Sequence, residues 1–322
     1  MSDERAAAGG ASVELLADRG AAAESDEFFR SRPFLDAEGV THTLRVPAGG
    51  MELLAPLIVR EIPAEGGCDA VSPYGYPGVA AAGPPAGPAP PLDPATIDFA
   101  STGLVTIFLR HTLAEPPLSG TAARNVVQIA DPALAAKSRG SDRNQINRNR
   151  RAGYAVELVP GPDADAGQRA GFLTAYEETM RRAGAGERYF FGAAYFDRIF
   201  ESPRSWLAIA RAPAGGVAAA SVVVHSDGFL HYYLSGTADA HLGDSPMKNV
   251  VAALIELSAE RGVPLNLGGG LSRGDRLEEF KRGFANREQP WHVSEIVCDR
   301  AAYDRLSAGH PASGFFPAYR GR

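Results

Sequence analysis

The order of apolar runs in this sequence predicts an α/β (α+β) fold with mixed central sheets flanked by helices. The second half reads helix, helix, three antiparallel strands, helix, strand, helix, strand, which is not the alternation of a parallel Rossmann sheet. Turn residues at Pro47-Ala-Gly-Gly50 and Ser226-Asp-Gly228 read as hairpins between antiparallel strands. A chain of 322 residues exceeds one ordinary core, so two domains of roughly 150 residues each are expected.

Residues 1–12 are small and polar and read as a disordered N-terminus. Apolar strands at 40–46 and 51–62 flank the first hairpin. The segment Ser-Pro-Tyr-Gly-Tyr-Pro-Gly at 72–78 leads into a Pro/Gly/Ala-rich stretch, 77–94, which reads as a loop because proline breaks helices and central strands. Strands follow at 104–109 and 125–129; Pro132 opens a helix expected to reach about 151, and a strand covers 154–159. Helices at 168–183 and 193–201 precede strands at 206–210, 217–225 and 229–235. Ser245 is expected to cap a helix with Pro246 at its first position. Met247, Val250, Val251, Leu254 and Leu257 mark that helix's buried face, and Gly262 ends it. A strand at 265–267 runs into Gly268-Gly-Gly270, followed by a helix at 276–284 and a last strand at 292–298. The domain boundary is expected between 13–150 and 151–322, the first half being a poorer version of the second.

Composition narrows the class. A hydrophobic fraction of 45% and a charged fraction of 22% are those of a globular protein. A net charge of −6 argues against coating nucleic acid by bulk charge, while leaving room for a local basic groove. Cys68 and Cys298 stand far apart, and no Cys/His cluster has metal-ligand spacing, so a reducing compartment and no metal are expected. No signal-like N-terminus and no spanning apolar run is read, which makes a cytoplasmic location, without membrane insertion, the expectation.

Several stretches resemble a known family. Arg124 to Val159 reads as a strand, an Arg/Asn-rich helix, Ala-Gly and a strand; Phe172 to Gly184 reads as the following helix. His-Tyr-Tyr-Leu-Ser-Gly-Thr at 231–237, the helix at 247–261 and Gly-Gly-Gly followed by Phe-Lys-Arg-Gly-Phe at 280–284 complete the pattern. Together these resemble the FemA/FemB/FemX-like transferases of the GNAT superfamily over about residues 35–300, and the Ser-Pro-Tyr-Gly-Tyr-Pro-Gly segment recurs in relatives of the group. The resemblance implies two tandem GNAT-like domains. It also implies transfer of an aminoacyl group from aminoacyl-tRNA to the amine of a peptide, in peptidoglycan or peptidyl-nucleoside antibiotic pathways, by direct attack and without a covalent intermediate.

On that resemblance Lys281 is the first catalytic candidate, since a fixed cation stabilises charge developing on a carbonyl or leaving oxygen. A helix-surface lysine covering apolar neighbours is the alternative. Phe280 and Arg282 share its motif, and Gly268, Gly269 and Gly270 either admit a ligand to the backbone or are a plain strand exit. Asp244 and Asp275 are candidate bases. Lys137, Arg139, Arg143, Arg148, Arg150 and Arg151 place six cations in fifteen residues. On a helix Arg139, Arg143 and Arg150 share a face that fits phosphates, or else a solvated face. Tyr74 and Tyr76 lie in a loop too irregular for core packing, while Tyr232 and Tyr233 lie on a strand and fit either core or substrate.

Acetyl-CoA enzymes hold pyrophosphate on free N–H groups of a glycine loop before the helix at 247. Here that position reads Ala240-His-Leu-Gly-Asp-Ser-Pro246, in which Pro246 lacks an N–H and Asp244 adds negative charge. Aminoacyl-tRNA is therefore the expected donor, with no cofactor. An acyl-CoA co-substrate is the alternative, and a non-catalytic binding module is the second. With no room for a coiled-coil arm, the expected acceptor is a small soluble peptide or nucleotide-linked peptide; DNA is not expected as a partner.

Overall fold

A computed structural model describes residues 11–63, 67–83, 91–310 and 314–321. In chain order the strands and α-helices begin with β1 (Ala11–Ser12), β2 (Glu14–Leu16), α1 (Arg32–Ala37), β3 (His42–Ala48), β4 (Met51–Glu61), β5 (Cys68–Val71), β6 (Ala80–Ala82), β7 (Ile97–Asp98) and β8 (Thr106–Arg110). They continue with β9 (Ala122–Ala130), α2 (Gly140–Ala152), β10 (Ala155–Pro160), α3 (Ala166–Arg182), α4 (Ala193–Phe200), β11 (Ser205–Arg211), β12 (Val217–Ser226) and β13 (Phe229–Thr237). The last are α5 (Met247–Arg261), β14 (Leu265–Gly268), α6 (Arg276–Arg282), β15 (Arg287–Val297) and α7 (Arg300–Ser307). The class is the expected α/β one, with mixed sheets flanked by helices.

The chain forms two compact units. The first holds Met1–Glu24, Glu38–Arg124 and His292–Arg322; the second holds Ser25–Ala37 and Asn125–Trp291. This division does not fall between 150 and 151. Residues 125–150 join the second unit because α2 packs on α5, burying Ile146 among Val250, Val251 and Leu254.

In the first unit, antiparallel β2, β3 and β4 continue through β5 to β8, with β5 and β8 parallel and the C-terminal half of β15 antiparallel to β8. Its core includes Leu44, Val46, Leu57, Ile107 and Leu109. The stretch 77–94 is not wholly a loop: β6 pairs with β4, and residues 84–90 lie outside the described residues. Residues 1–10 also lie outside them, whereas Ala11 and Ser12, expected to be disordered, pair with Ile97 and Asp98.

In the second unit the sheet order is β10, β11, β12, β13, β14, β9. All neighbours are antiparallel except β13 and β14. Alternate residues of β12, Ala219 and Val223, pack beneath α2 and α5. Aromatic packing joins α3 and α4, with Phe172 and Phe196 rings 4.8 Å apart. A Cβ on Gly236 would collide with the Ala175 carbonyl, so glycine lets α3 lie directly on β13. The hairpin at Asp227-Gly228 takes positive φ at both residues, the geometry that suits twisted strands.

Local chemistry explains most helix ends and two departures. Asp165 and Gln168 form a reciprocal capping box on α3, while Gly153 and Gly262 end α2 and α5 with φ of 95° and 64°. The helix expected from Pro132 begins only at Gly140. Asn286 bonds the Asp131 N–H and the Asp131 and Ala135 carbonyls, which holds this stretch out of a helix. Ser245 does not cap α5: it sits at φ 49° with no capping bond, and Pro246 takes the cap position.

Candidate active site

β13 and β14 are parallel neighbours that pair only at Leu230 with Leu265 and His231 with Asn266. β13 then runs on to Thr237, roughly 20 Å past the last pair at about 3.3 Å per residue, while β14 stops at Gly268. The strands therefore part at their carboxyl ends, the place where open α/β sheets take ligands. A register shift in β13 places Val222 opposite Leu234 and Val223 opposite Tyr232, leaving Tyr233 as the bulged residue.

A buried chain of hydrogen bonds fixes the β14 exit. His231 lies 3.2 Å through Nε2 from the Ser226 carbonyl and 3.1 Å through Nδ1 from the Asn266 amide. Burial pulls the His231 pKa down to about 4, so the ring is neutral at pH 7, with Nε2–H donating and Nδ1 accepting. Asn266 Oδ1 in turn accepts the Gly268 N–H at 2.8 Å.

The glycine triplet and Lys281 come together at this exit. Gly268 has φ 77°, and Lys281 Nζ lies 3.1 Å from where a Gly268 Cβ would be. Lys281 donates to the Gly269 carbonyl at 2.6 Å. Side chains on Gly269 and Gly270 would strike Asn125 and Asp275, and Asn125 donates to the Gly270 carbonyl at 3.1 Å. The glycines are thus required by close approach of the protein's own groups. Lys281 is only 8% exposed, and burial pulls its pKa down to about 8, against a smaller opposing pull from the Asp275 charge. Among the described residues no carboxylate lies within ion-pair distance of it.

The other candidates divide. Phe280 packs into the core, its ring 5.5 Å from Phe284. Arg282 pairs with Glu278 and, at 3.3 Å, with Glu288, so its charge is answered within the protein. Asp275 caps α6 and accepts the N–H groups of Glu278, Leu271 and Ser272, which hold its carboxyl below the usual range and make it a weak base. Asp244 accepts the Tyr154 hydroxyl at 2.7 Å, and that hydroxyl also lies 2.9 Å from His241 Nδ1. Burial, and next the Asp244 carboxylate, push the Tyr154 pKa up to about 12. Among the described residues no contact joins Asp244 to Lys281.

On α2, Arg139 faces Glu279 at 3.6 Å and Arg150 faces Glu256 at 3.1 Å. Arg143 bonds the Ser138 carbonyl and Arg148 the Gln145 side chain. Among the described residues Lys137, Arg143, Arg148 and Arg151 are exposed cations without a carboxylate partner. Tyr233 bonds Tyr195 hydroxyl to hydroxyl at 3.0 Å, while Tyr232 packs into the core and burial pushes its pKa up to about 12. Tyr74 and Tyr76 belong to the first unit, where the Tyr74 N–H bonds Glu38 and Gly75 and Gly78 take positive φ.

Sequence reading missed Asn125, His231 and Asn266. For His231 and Asn266 the signal was a polar residue among buried strand positions, which requires a partner; Asn125, half-buried on β9, gave none.

Residues 136–282 match the family model described as an acetyltransferase (GNAT) domain. The chain has the FemX-like GNAT fold. The crystal structure of FemX superposes with a TM-score of 0.56 at 10% identity, covering 82% of this chain and 89% of that one. The C-terminal domain of a putative lysylphosphatidylglycerol synthetase from Agrobacterium fabrum gives 0.54 at 13% identity, covering 89% and 92%. L-PGS from Bacillus licheniformis gives 0.51 at 12%, covering 82% and 86%. At such identities the likeness is one of fold. No curated protein sequence matches the chain.

Proposed function

We propose that this GNAT-fold acyltransferase moves an aminoacyl group from aminoacyl-tRNA to the amine of a small soluble or nucleotide-linked peptide. The observation that carries this reading is the buried Lys281 ammonium, held at the parted carboxyl ends of β13 and β14 by, among the described residues, a single carbonyl. The amine attacks the ester carbonyl, a C–N bond forms, the C–O bond to the ribose breaks, and the proton lost by the amine ends on the freed ribose hydroxyl. Negative charge gathers first on the carbonyl oxygen and then on the leaving ribose oxygen. A desolvated ammonium beside it stabilises that charge more than it would in water.

The start of α5 supports a donor other than CoA. The Lys248 N–H bonds the Ser245 carbonyl and the Asn249 N–H bonds the Pro246 carbonyl, while Pro246 has no N–H. Two of the N–H groups that would cradle a pyrophosphate are thus already engaged. The unpaired cations of α2 offer phosphate contacts instead. FemX and the lysylphosphatidylglycerol synthetases share the fold, and the latter's name denotes an aminoacylated product. The alternative, an acyl-CoA N-acyltransferase, is favoured by the description of the family that matches 136–282.

The test offers the protein radiolabelled aminoacyl-tRNAs and, separately, acetyl-CoA, each with candidate peptide amines. Transfer of label from an aminoacyl-tRNA is the expected result. Consumption of acetyl-CoA alone would establish the alternative.

A further inference from the structure

A cleft of about 510 Å³ lies wholly within the first unit, lined by the carboxyl-terminal half of β15, by the segment 93–100 and by Ser119 and Gly120. That volume is in the range of clefts that hold small organic ligands. Ser294, Ile296 and Cys298 are alternate residues along β15 and its extension, so they share one face of the sheet. Both walls are fastened from within. Ser294 Oγ lies 2.8 Å from His111 Nε2, and Ile296 packs in one cluster with Phe99 and Ile97. On the facing segment, β7 pairs with β1 at Ile97 and Asp98, and the Ser101 hydroxyl donates to the Asp98 carbonyl at 2.7 Å. Asp93 caps its own turn by accepting the Ala95 N–H at 2.9 Å. The cleft is therefore held in shape by the protein's own bonds.

Its charge is one-sided. Asp93, Asp98 and Glu295 line it, and no basic side chain does. Glu295 is answered only by Arg124, at 3.7 Å. Among the described residues Asp98 has no cation within ion-pair distance and no hydrogen bond on its carboxylate. Cys298 adds no charge, because burial pushes its thiol pKa up to about 12 and keeps it protonated at neutral pH. A low-dielectric cleft with charge of one sign concentrates the opposite ion. Here an apolar floor of Ile296 and Phe99 accompanies an unanswered carboxylate. Such a cleft suits a ring or aliphatic body that carries an ammonium group. An anion would meet like charge, and a neutral molecule would leave Asp98 unanswered.

We infer that this cleft is a binding site for an organic amine with an apolar body, separate from the acyl-transfer centre. Asp98 meets the ammonium, and Ile296 and Phe99 take the body. The site goes beyond the acyl-transfer reading: its lining belongs to the first unit, whereas Lys281 belongs to the second.

The experiment titrates the full chain with three probes of one shape: tryptamine, the neutral alcohol tryptophol and the anionic indole-3-propionate. Ligand-observed NMR follows binding. Wild type is compared with Asp98→Asn, with Ala100→Tyr, which adds bulk at an exposed lining position, and with Asp163→Asn, which removes an exposed acid of the second unit. Melting curves show that each variant is folded. Tryptamine should bind best and indole-3-propionate least. Asp98→Asn should weaken tryptamine roughly two- to fivefold, the range for one exposed ion pair, and leave tryptophol unchanged. Ala100→Tyr should weaken both, and Asp163→Asn neither. Absence of tryptamine binding overturns the site. So does tryptamine binding no tighter than tryptophol, or binding that ignores both Asp98→Asn and Ala100→Tyr. A loss on Asp163→Asn equal to that on Asp98→Asn would also overturn it, because bulk negative charge would then account for the attraction.

Discussion

Asp69 in the first unit and Lys281 in the second are both buried charges, and the protein treats them in opposite ways. Asp69 is fully buried and is met by Arg60 at 2.9 Å, by Arg320 at 2.5 Å and by the Tyr319 hydroxyl at 3.1 Å. Among the described residues Lys281 is met by one carbonyl, and its pKa is drawn toward neutrality. A buried charge retained for architecture is surrounded by partners, because an uncompensated one is expensive. A charge left with so little compensation where β13 and β14 part is better placed to stabilise charge that arrives during a reaction. The same contrast runs along α2 and its cap residue, where Arg139 and Arg150 are answered by Glu279 and Glu256 while, among the described residues, Arg143, Arg148 and Arg151 have no carboxylate partner.

The largest expected effect breaks the structural member of the pair. Replacing both Arg60 and Arg320 with alanine strands the Asp69 carboxylate, and urea unfolding should show a loss of about 3–5 kcal/mol. Either single variant should cost less, because one guanidinium remains. Gly269→Ala should cost about 1–3 kcal/mol, since the new Cβ displaces the Asn125 amide and breaks its bond to the Gly270 carbonyl. Thermal melting of Gly269→Ala against Gly243→Ala, a position where a Cβ meets nothing, isolates this effect.

A pH profile sharpens the assignment of Lys281. A lysine acting as a cation loses its charge as pH rises through its pKa of about 8, so the single-turnover rate should be level below that and fall about tenfold per unit above it. A rate that climbs up to pH 8 would assign it instead as a neutral base. The sign for stability is opposite to that of a lysine with a partner. The folded pKa lies below the ordinary value of 10.5, so the unfolded chain binds more protons between the two and stability rises with pH across that window. The smallest effect belongs to α2. Replacing Arg143, Arg148 and Arg151 by alanine should lower the salt slope of tRNA binding by roughly 0.7–0.9 for each phosphate that is no longer neutralised. The paired Arg139 and Arg150 should matter less.

Much of the fold was legible because its signals are local. The Gly262 helix end and the Asp227-Gly228 hairpin act over a few residues, and the structure has each where the pattern puts it. Lys281 lies on the short helix that follows Gly268–Gly270, but the approach of its ammonium to the Gly269 carbonyl was not read from the sequence. What failed depends on distant partners. Asn286 delays α2 from across 151 residues of chain, a terminal Arg320 completes the Asp69 cluster, and Asn125 reaches the glycine loop from β9. Asp244 looked free in sequence because Tyr154 lies 90 residues away.

The most direct test measures stability and single-turnover transfer side by side for wild type and Lys281→Met. Methionine fills the space without the desolvated charge. Unfolding stability should therefore be unchanged or higher, while the rate should fall by about two to three orders of magnitude. A variant that transfers at the wild-type rate, or one whose lower rate merely follows a loss of folding, would contradict the claim that Lys281 is held buried for chemistry.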